Sequence, residues 1–184
     1  MNRLSHSAFR TQTNLAGNLL VASPMVNGHS APEAVVLLLN HRAEGATGVM
    51  LNSRENEEVR DWCRSLTNRQ DKVAVLEQVK AAAQSQVEQH QTTFTVCMAQ
   101  PMPSLDEAVN QLGTGVRLLV GQHHWRAGQL EREIATGLWL VLPAAPAFIF
   151  GDYENLWRTC VQWAGEQVIA SAPGVQPHPL ACWN

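Results

Sequence analysis

Short apolar runs separated by polar turns dominate the N-terminal part of the chain. Residues 18–22 (NLLVA) form one run, and residues 34–39 (AVVLLL) form a second that is apolar at every position. A continuous apolar run of strand length is typical of a strand that is buried on both faces of a sheet. Residues 44–48 (EGATG) then predict a turn, since their two glycines permit tight bends, and residues 49–51 resume the apolar pattern.

The middle of the chain, residues 55–90, has a helical pattern instead. Its apolar side chains recur every three or four positions, which is the period of an amphipathic helix. Residues 92–98 (TTFTVCM) are rich in β-branched residues and predict a strand. Ser104 and Glu107 predict a helix start, because each side chain is spaced to bond the backbone amide of the other, and Gly113 is expected to end that helix.

The C-terminal half alternates between predicted strands and predicted helices. The strands are expected at residues 116–120, 138–142 and 148–150, and the helices at residues 126–136 and 152–165, the last one capped by Asp152 and ended by Gly165. Residues 1–13 are polar and aperiodic and predict a flexible N-terminal arm. Without an internal repeat or a low-complexity linker, residues 14–184 are expected to form a single domain.

Composition excludes several classes of protein. Of the 184 residues, 45% are hydrophobic and 16% are charged, which favours a folded chain over a disordered one. The net charge is −3, from 13 basic and 16 acidic residues, and the basic residues are scattered singly. Tight nucleic-acid binding needs several clustered cations that neutralise phosphates together. We therefore do not expect direct nucleic-acid binding.

Cysteine spacing and hydropathy indicate the compartment. Cys63, Cys97, Cys160 and Cys182 lie far apart, with no Cys-x-x-Cys pair. A domain of this size does not need disulfide bonds for stability. No apolar run has the length of a signal peptide or of a membrane-spanning helix. The expectation is a cytoplasmic protein with reduced thiols and no contact with a membrane.

Three sequence blocks carry a resemblance to a known family. They are residues 15–25 (LAGNLLVASPM), residues 34–52 (AVVLLLNHRAEGATGVMLN) and residues 121–131 (GQHHWRAGQLE), the last continued by Glu133, by residues 137–139 (GLW) and by residues 143–144 (PA). In these blocks the chain resembles the YqgE/AlgH family of bacterial proteins. The resemblance implies an α/β fold in one compact domain, with a mixed sheet curled into a partial barrel and flanking helices. It implies little chemistry, because the family lacks an agreed activity and some members are labelled transcriptional regulators.

The chain also departs from that family's pattern. Members usually carry a Gly-Gly-Pro-Val segment in their middle, whereas residues 55–90 contain no glycine. Asn52 is followed by Ser53 rather than by the usual proline.

The third block supplies the candidate ligand site. It follows a predicted strand, contains a glycine turn and opens a helix, and such turns present backbone N–H groups to anions or polar ligands. The candidate residues are His41, His124, Trp125, Arg126 and Gln129. The structural alternative, in which Trp125 packs in the core and Gln129 belongs to the helix start, is the favoured one.

Other site chemistries have weaker signals. A metal site with His41, His123 and His124 lacks paired ligand spacing, and adjacent histidines of a strand point to opposite faces. Cys63 and Cys97 lie in apolar surroundings, which favours inert thiols over a nucleophile. No hydrolase elbow, phosphate loop or dinucleotide motif is present.

A predicted helix at residues 59–69, with Arg60 and Arg64 on one face, is a candidate DNA-reading helix. Acidic neighbours there would repel phosphate, and this favours a solvated, salt-bridged face.

The leading hypothesis is a non-enzymatic binding or regulatory domain that acts through a protein or small-molecule partner, with no catalytic residue, cofactor or metal assigned. A transcriptional regulator and an enzyme with a cysteine or histidine site are the alternatives.

Overall fold

The computed structural model describes residues 14–26, 31–84, 94–98, 104–151 and 155–170, and these residues form seven strands and six helices. The strands are β1 (Asn18–Ala22), β2 (Val35–Arg42), β3 (Gly45–Met50), β4 (Phe94–Met98), β5 (Val116–Val120), β6 (His123–Arg126) and β7 (Trp139–Pro143). The helices are α1 (Arg54–Ser65), α2 (Arg69–Gln84), α3 (Leu105–Asn110), α4 (Gln129–Ala135), α5 (Pro146–Phe150) and α6 (Leu156–Ala170). The predicted arm at residues 1–13 and the tail from residue 171 lie outside the described residues.

Five strands form one sheet in the order β6-β3-β2-β1-β7, and β4 pairs with β5 in a second sheet. The predicted α/β class with flanking helices is therefore confirmed. All pairs between named strands are antiparallel, so the mixed sheet that we expected is antiparallel in the described residues. The larger sheet ends at β6 and β7 and is not closed into a barrel.

Both faces of the larger sheet are buried along β1 and the first half of β2, as the apolar runs predict. Along β1 the side chains alternate between two cores, with Leu19 in one and Leu20 in the other. The first core also contains Cys160 of α6 and Phe148 of α5, while the second contains Leu130 of α4. Helices on opposite sides of the sheet thus explain why β1 and β2 have no polar alternation.

A bulge in β2 changes which face its last residues occupy. The pairing with β3 shifts between Leu38 and Asn40, so that Leu38 lies opposite Gly48 while Asn40 lies opposite Thr47. An extra residue in one strand reverses the alternation of side chains beyond it. His41 consequently points to the same face as Leu38, rather than to the opposite one.

A buried amide connects the two sheets. Asn56, near the start of α1, is fully buried, and its Nδ2 donates to the Met50 carbonyl at 2.6 Å and to the Val120 carbonyl at 3.1 Å. Its Oδ1 accepts from the Val120 amide at 2.6 Å. The end of β3 and the end of β5 are therefore linked by one side chain instead of by strand pairing.

A buried guanidinium makes a second link at this junction. Arg117 of β5 is only 5% exposed, and its two terminal nitrogens donate to the carbonyls of Leu51 and Ile149, both at 2.7 Å. Its Nε has no hydrogen-bond partner among the residues that the structure describes. Burial, and then the nearby charge of Arg60, lowers the pKa of the Arg117 guanidinium. The link therefore consists of charge-assisted bonds to two backbone carbonyls.

Two predictions about the larger sheet were wrong. Residues 45–48 belong to strand β3, so the turn predicted at residues 44–48 is instead a tight hairpin at residues 43–44. Residues 123–126 pair with β3, which makes them strand β6, and the helix predicted from residue 126 begins only at Gln129. Short strands with polar residues on one face resemble turns when their pairing partner is unknown.

Two predictions near the C-terminus were also wrong. Residues 148–150 belong to helix α5 rather than to a strand, because Pro146 occupies its first turn, where proline favours a helix start. Helix α6 does not end at Gly165 but continues to Ala170. The helical middle is divided into α1 and α2 at residues 66–68, and Ser104 accepts from the Glu107 amide as the cap predicts.

Candidate ligand site

The corner of the sheet where β2, β3 and β6 meet brings the sequence candidates close together. Strand register aligns His41, Ala46 and Trp125 in one row across the three strands. The next row consists of Asn40, Thr47 and His124. Directly paired residues of antiparallel strands share a face, and consecutive residues alternate between faces. The two rows therefore point to opposite sides of the sheet.

His41 lies on the inner face and uses both ring nitrogens. The residue is 6% exposed. Its Nδ1 accepts from the Leu15 amide at 3.2 Å, and its Nε2 lies 3.0 Å from a Glu131 carboxylate oxygen. Because Nδ1 accepts, the neutral ring carries its proton on Nε2, which donates to Glu131. His41 thereby joins the chain entering β1 to the first turn of α4.

Glu133 of α4 is the centre of a hydrogen-bond network on this inner face. One of its oxygens, Oε2, accepts from the indole nitrogens of Trp125 at 2.9 Å and Trp139 at 2.7 Å. The other, Oε1, accepts from the Gln129 amide at 2.9 Å. Both indoles are 8% exposed and pack edge to face with ring centroids 6.2 Å apart. Buried indole N–H groups need acceptors, and this carboxylate supplies one to both.

Gln129 also closes the turn between β6 and α4. Its side-chain oxygen accepts from the Arg126 amide at 3.0 Å, while its nitrogen donates to Glu133. Gly128 precedes the helix with φ of 69°, a left-handed conformation that favours glycine. The local sequence therefore folds into a strand–turn–helix unit whose polar groups bond to one another.

The opposite face carries a polar groove, defined here by the residues around the end of the β2–β3 hairpin. It is an open depression of about 450 Å³. The lining residues are Asn40, Arg42, Glu44, Gly45, Ala46, Thr47, His124 and Trp125. Arg42, Glu44 and His124 are exposed, and Arg126 lies on the same face, opposite Gly45. Three basic side chains and one acidic side chain thus surround this groove.

The five candidate residues do not converge on one point. His41 and Trp125 lie in the interior, Gln129 bonds to Glu133, and His124 and Arg126 are exposed on the groove side. The ligand-binding role of these five residues stays a prediction.

Sequence reasoning missed several residues of this corner. It gave no role to Arg42 or Thr47, which share the groove with His124, or to Glu133, which orders the inner face. For Arg42 and Thr47 the missing signal is the β2–β3 register, which a hairpin centred on residues 43–44 would have supplied. The spacing from Trp125 to Glu133 does not indicate whether the Glu133 carboxylate accepts hydrogen bonds from side chains or is solvated.

Metal ligands and reactive thiols are not assembled in the described ranges. Across those ranges no three histidine, cysteine or acidic side chains gather in a way that would hold a metal ion. Cys63 and Cys160 are buried and Cys97 is half-buried, all three as free thiols. Desolvation raises the pKa of each thiol, that of Cys160 to about 12, and the charge of Arg117 only partly offsets this at Cys97. Within the same ranges no helix is long and apolar enough to cross a membrane.

Comparison with known proteins places the chain in a family. The AlgH-like family model matches residues 19–169. A UPF0301 protein of Chlamydia felis is 31% identical, in an alignment covering 81% of this chain and 86% of that protein. A UPF0301 protein of Chlorobium luteolum is also 31% identical, covering 86% of this chain and 91% of that protein.

A Corynebacterium diphtheriae protein solved by X-ray crystallography is similar in fold. Its TM-score is 0.50 at 21% identity, and the match covers 89% of this chain and 90% of that chain. The likeness concerns the fold alone. Because the family model spans most of the sequence and agrees with the blocks at residues 15–25, 34–52 and 121–131, the chain belongs to the AlgH-like family.

Proposed function

We propose that this protein is a non-enzymatic binding domain that acts through a small-molecule or protein partner held in the polar groove. The observation that carries the proposal is the division of polar groups between the two faces of the β2–β3–β6 corner. His41 and Glu133, the two groups best suited to acid–base chemistry, are bonded inside the fold. A general base must reach a substrate proton, whereas His41 is buried and both carboxylate oxygens of Glu133 already accept hydrogen bonds.

The thiols support the same conclusion. A nucleophilic cysteine needs a depressed pKa and partial exposure. Burial raises the pKa of Cys63, Cys97 and Cys160, and for Cys97 it outweighs the opposing charge of Arg117. A cysteine enzyme is therefore the less favoured alternative.

The arginines of α1 weigh against a regulator that grips DNA with this helix. Arg54 bonds Glu58 at 2.9 Å, and Arg60 bonds Asp61 at 3.3 Å. Arg64 donates to the carbonyl of Gly113 at 3.1 Å. Phosphate binding requires cations that are available to displace counterions. A regulatory role, under this proposal, runs through a bound ligand or a protein rather than through direct nucleic-acid contact.

A thermal-shift screen tests the proposal. The panel contains phosphorylated, carboxylated and uncharged metabolites, and each hit is recovered and analysed by mass spectrometry. We expect at least one compound to raise the melting temperature by several degrees, since binding to the folded state alone adds about 2.7 kcal/mol at a hundredfold excess over Kd. The recovered compound should be unchanged, and its effect should be smaller in His124→Ala.

Three results would contradict the proposal. Conversion of a hit into product would make the protein an enzyme, and loss of that turnover in Cys97→Ala would identify the thiol route. Retention of a short DNA duplex in a low-salt gel shift, lost in Arg60→Gln and Arg64→Gln, would favour the direct regulator. Stabilisation that is equal in wild type and His124→Ala would place the ligand outside the groove.

A further inference from the structure

The groove face has a regular arrangement of basic and hydrogen-bonding side chains. Arg42, Gly45 and Arg126 form one row across β2, β3 and β6. The adjacent row consists of Asn40, Thr47 and His124, two residues further along each strand. Because residues two apart share a face, both rows project to the same side.

Gly45 leaves a gap between the two arginines. Their backbones are separated by two strand spacings, about 10 Å, and no side chain rises from the strand between them. Both arginines are exposed, and in the described residues neither Arg42 nor Arg126 forms an ion pair. In contrast, Arg54 and Arg69 each contact a carboxylate.

The chemistry of this surface selects a ligand class. Guanidinium groups donate in a fixed fork that fits the paired oxygens of a phosphate or a carboxylate. Thr47 and His124 add a hydroxyl and a ring nitrogen from the next row. Glu44, at the hairpin turn, is the acidic member of the lining. The volume of about 450 Å³ falls in the range of small-molecule sites rather than that of a single ion.

We infer that the groove binds the oxyanion group of a small phosphorylated or carboxylated molecule between Arg42 and Arg126, with Thr47 and His124 beside it. This inference rests on the proposed function and names the ligand class for the same surface. Phosphate and carboxylate present the same oxygen geometry to the arginines, and the experiment separates the two sources.

Nuclear magnetic resonance titration of the ¹⁵N-labelled full chain tests the inference. The probes are inorganic phosphate, pyrophosphate and citrate, each compared with sodium chloride at equal ionic strength. We expect saturable shifts of the amides of residues 42–47 and 123–126. Arg42→Gln and Arg126→Gln should each weaken binding about tenfold, since a charge-assisted hydrogen bond contributes about 1.5 kcal/mol or more. Arg158→Gln, an exposed arginine of α6, is the matched control and should bind as wild type.

The outcomes distinguish the inference from the function on which it rests. Stronger binding of pyrophosphate than of citrate assigns a phosphorylated ligand, and the reverse order assigns a carboxylated one. If sodium chloride reproduces the shifts, or if both arginine variants bind as wild type, the inference is overturned. The proposed function then survives only if an uncharged metabolite shifts the same amides, and it fails with the inference if no panel compound does so.

Discussion

The two faces of the sheet at the β2–β3–β6 corner carry similar residue types in opposite states. On the inner face, His41 and Trp125 are buried and Glu133 is half-buried. His41 bonds to Glu131 of α4, and Trp125 bonds to Glu133 of the same helix. On the groove face, Arg42 and His124 are exposed and their polar atoms point to solvent. The sequence interleaves the two sets, so that His123 and Trp125 share a side, with ring centroids 6.4 Å apart, while His124 takes the other.

This difference shows why a motif alone does not identify a site. In the segment from residue 121 to residue 133, Trp125, Leu130 and Glu133 contribute to folding. His124 and Arg126, in the same segment, face solvent. Substitution should therefore separate the two groups into large effects on stability and large effects on binding. The predictions below test that separation.

The largest loss of stability is expected from Glu133→Ala. This change leaves the indole N–H groups of Trp125 and Trp139 and the amide of Gln129 without their acceptor, at a cost of about 4 kcal/mol. Glu133→Gln should cost about half as much, because one oxygen can still accept from both indoles. Urea unfolding measures both variants. The control is Glu166→Ala, at an exposed position of α6, which should change the free energy of unfolding by less than about 0.5 kcal/mol. An equal loss of stability in all three variants would refute the role of this hydrogen-bond network.

Gly45→Ala should be the next most destabilising change. An added Cβ would lie 2.3 Å from the Trp125 carbonyl oxygen, and the residue has φ of 143°, so β6 must move away from β3. We expect a loss of about 3 kcal/mol in urea unfolding. Gly121→Ala is the control, since Gly121 has φ of 77° with open space around it and should cost about 1 kcal/mol from backbone strain alone. Equal losses would show that close contact between the strands is not the cause.

Cys160 lies in the first core, on the same face of the sheet as the groove, and its thiol should make the free energy of unfolding depend on pH. Burial raises the pKa of the Cys160 thiol to about 12, while in the unfolded chain a thiol ionises near pH 9. Above about pH 9 the unfolded state therefore loses a proton that the folded state retains, and the free energy of unfolding falls as pH rises towards 12. Urea unfolding at pH 8 and pH 10 should show a steeper fall for wild type than for Cys160→Ala. Parallel pH profiles would mean that the folded thiol ionises as readily as the unfolded one.

The smallest effects on stability are expected in the groove. His124→Ala and Arg42→Gln remove exposed side chains, and each should change the free energy of unfolding by less than about 0.5 kcal/mol. Thermal unfolding without ligand measures this directly. A loss comparable to that of Glu133→Ala would make the groove part of the folding core and would remove the contrast between the faces.

Elements with a strong one-dimensional pattern were predictable from the sequence. The uninterrupted apolar run predicts β2, and the apolar spacing at Leu156 and Cys160 predicts α6, because burial on a defined face imposes a period. β6 was not predictable, since its four residues become a strand only by pairing with β3. The extent of α6 past Gly165 was also missed, because a helix tolerates an exposed glycine when its neighbours are held by packing.

The candidate site was predictable only in part. The sequence directs attention to the segment from His124 to Gln129, which does lie at the groove and its supporting turn. It does not show that His41 contacts Glu131, ninety positions away, since that contact depends on the bulge in β2. Which side chains face solvent is decided by register, and register is a property of the assembled sheet.

The junction made by Asn56 and Arg117 separates two parts of the molecule that differ in how readily they unfold locally. An isolated two-stranded sheet is marginally stable, and among the described residues no ladder of backbone bonds ties β4 and β5 to the five-stranded sheet. These two strands are joined to it by the Asn56 amide, the Arg117 guanidinium and Leu119 in the first core, so we expect them to open as a partial unit. Amide hydrogens of β4 and β5 should therefore exchange with deuterium while those of β1 and β2 remain protected. Such partial unfolding would leave the β2–β3–β6 corner undisturbed.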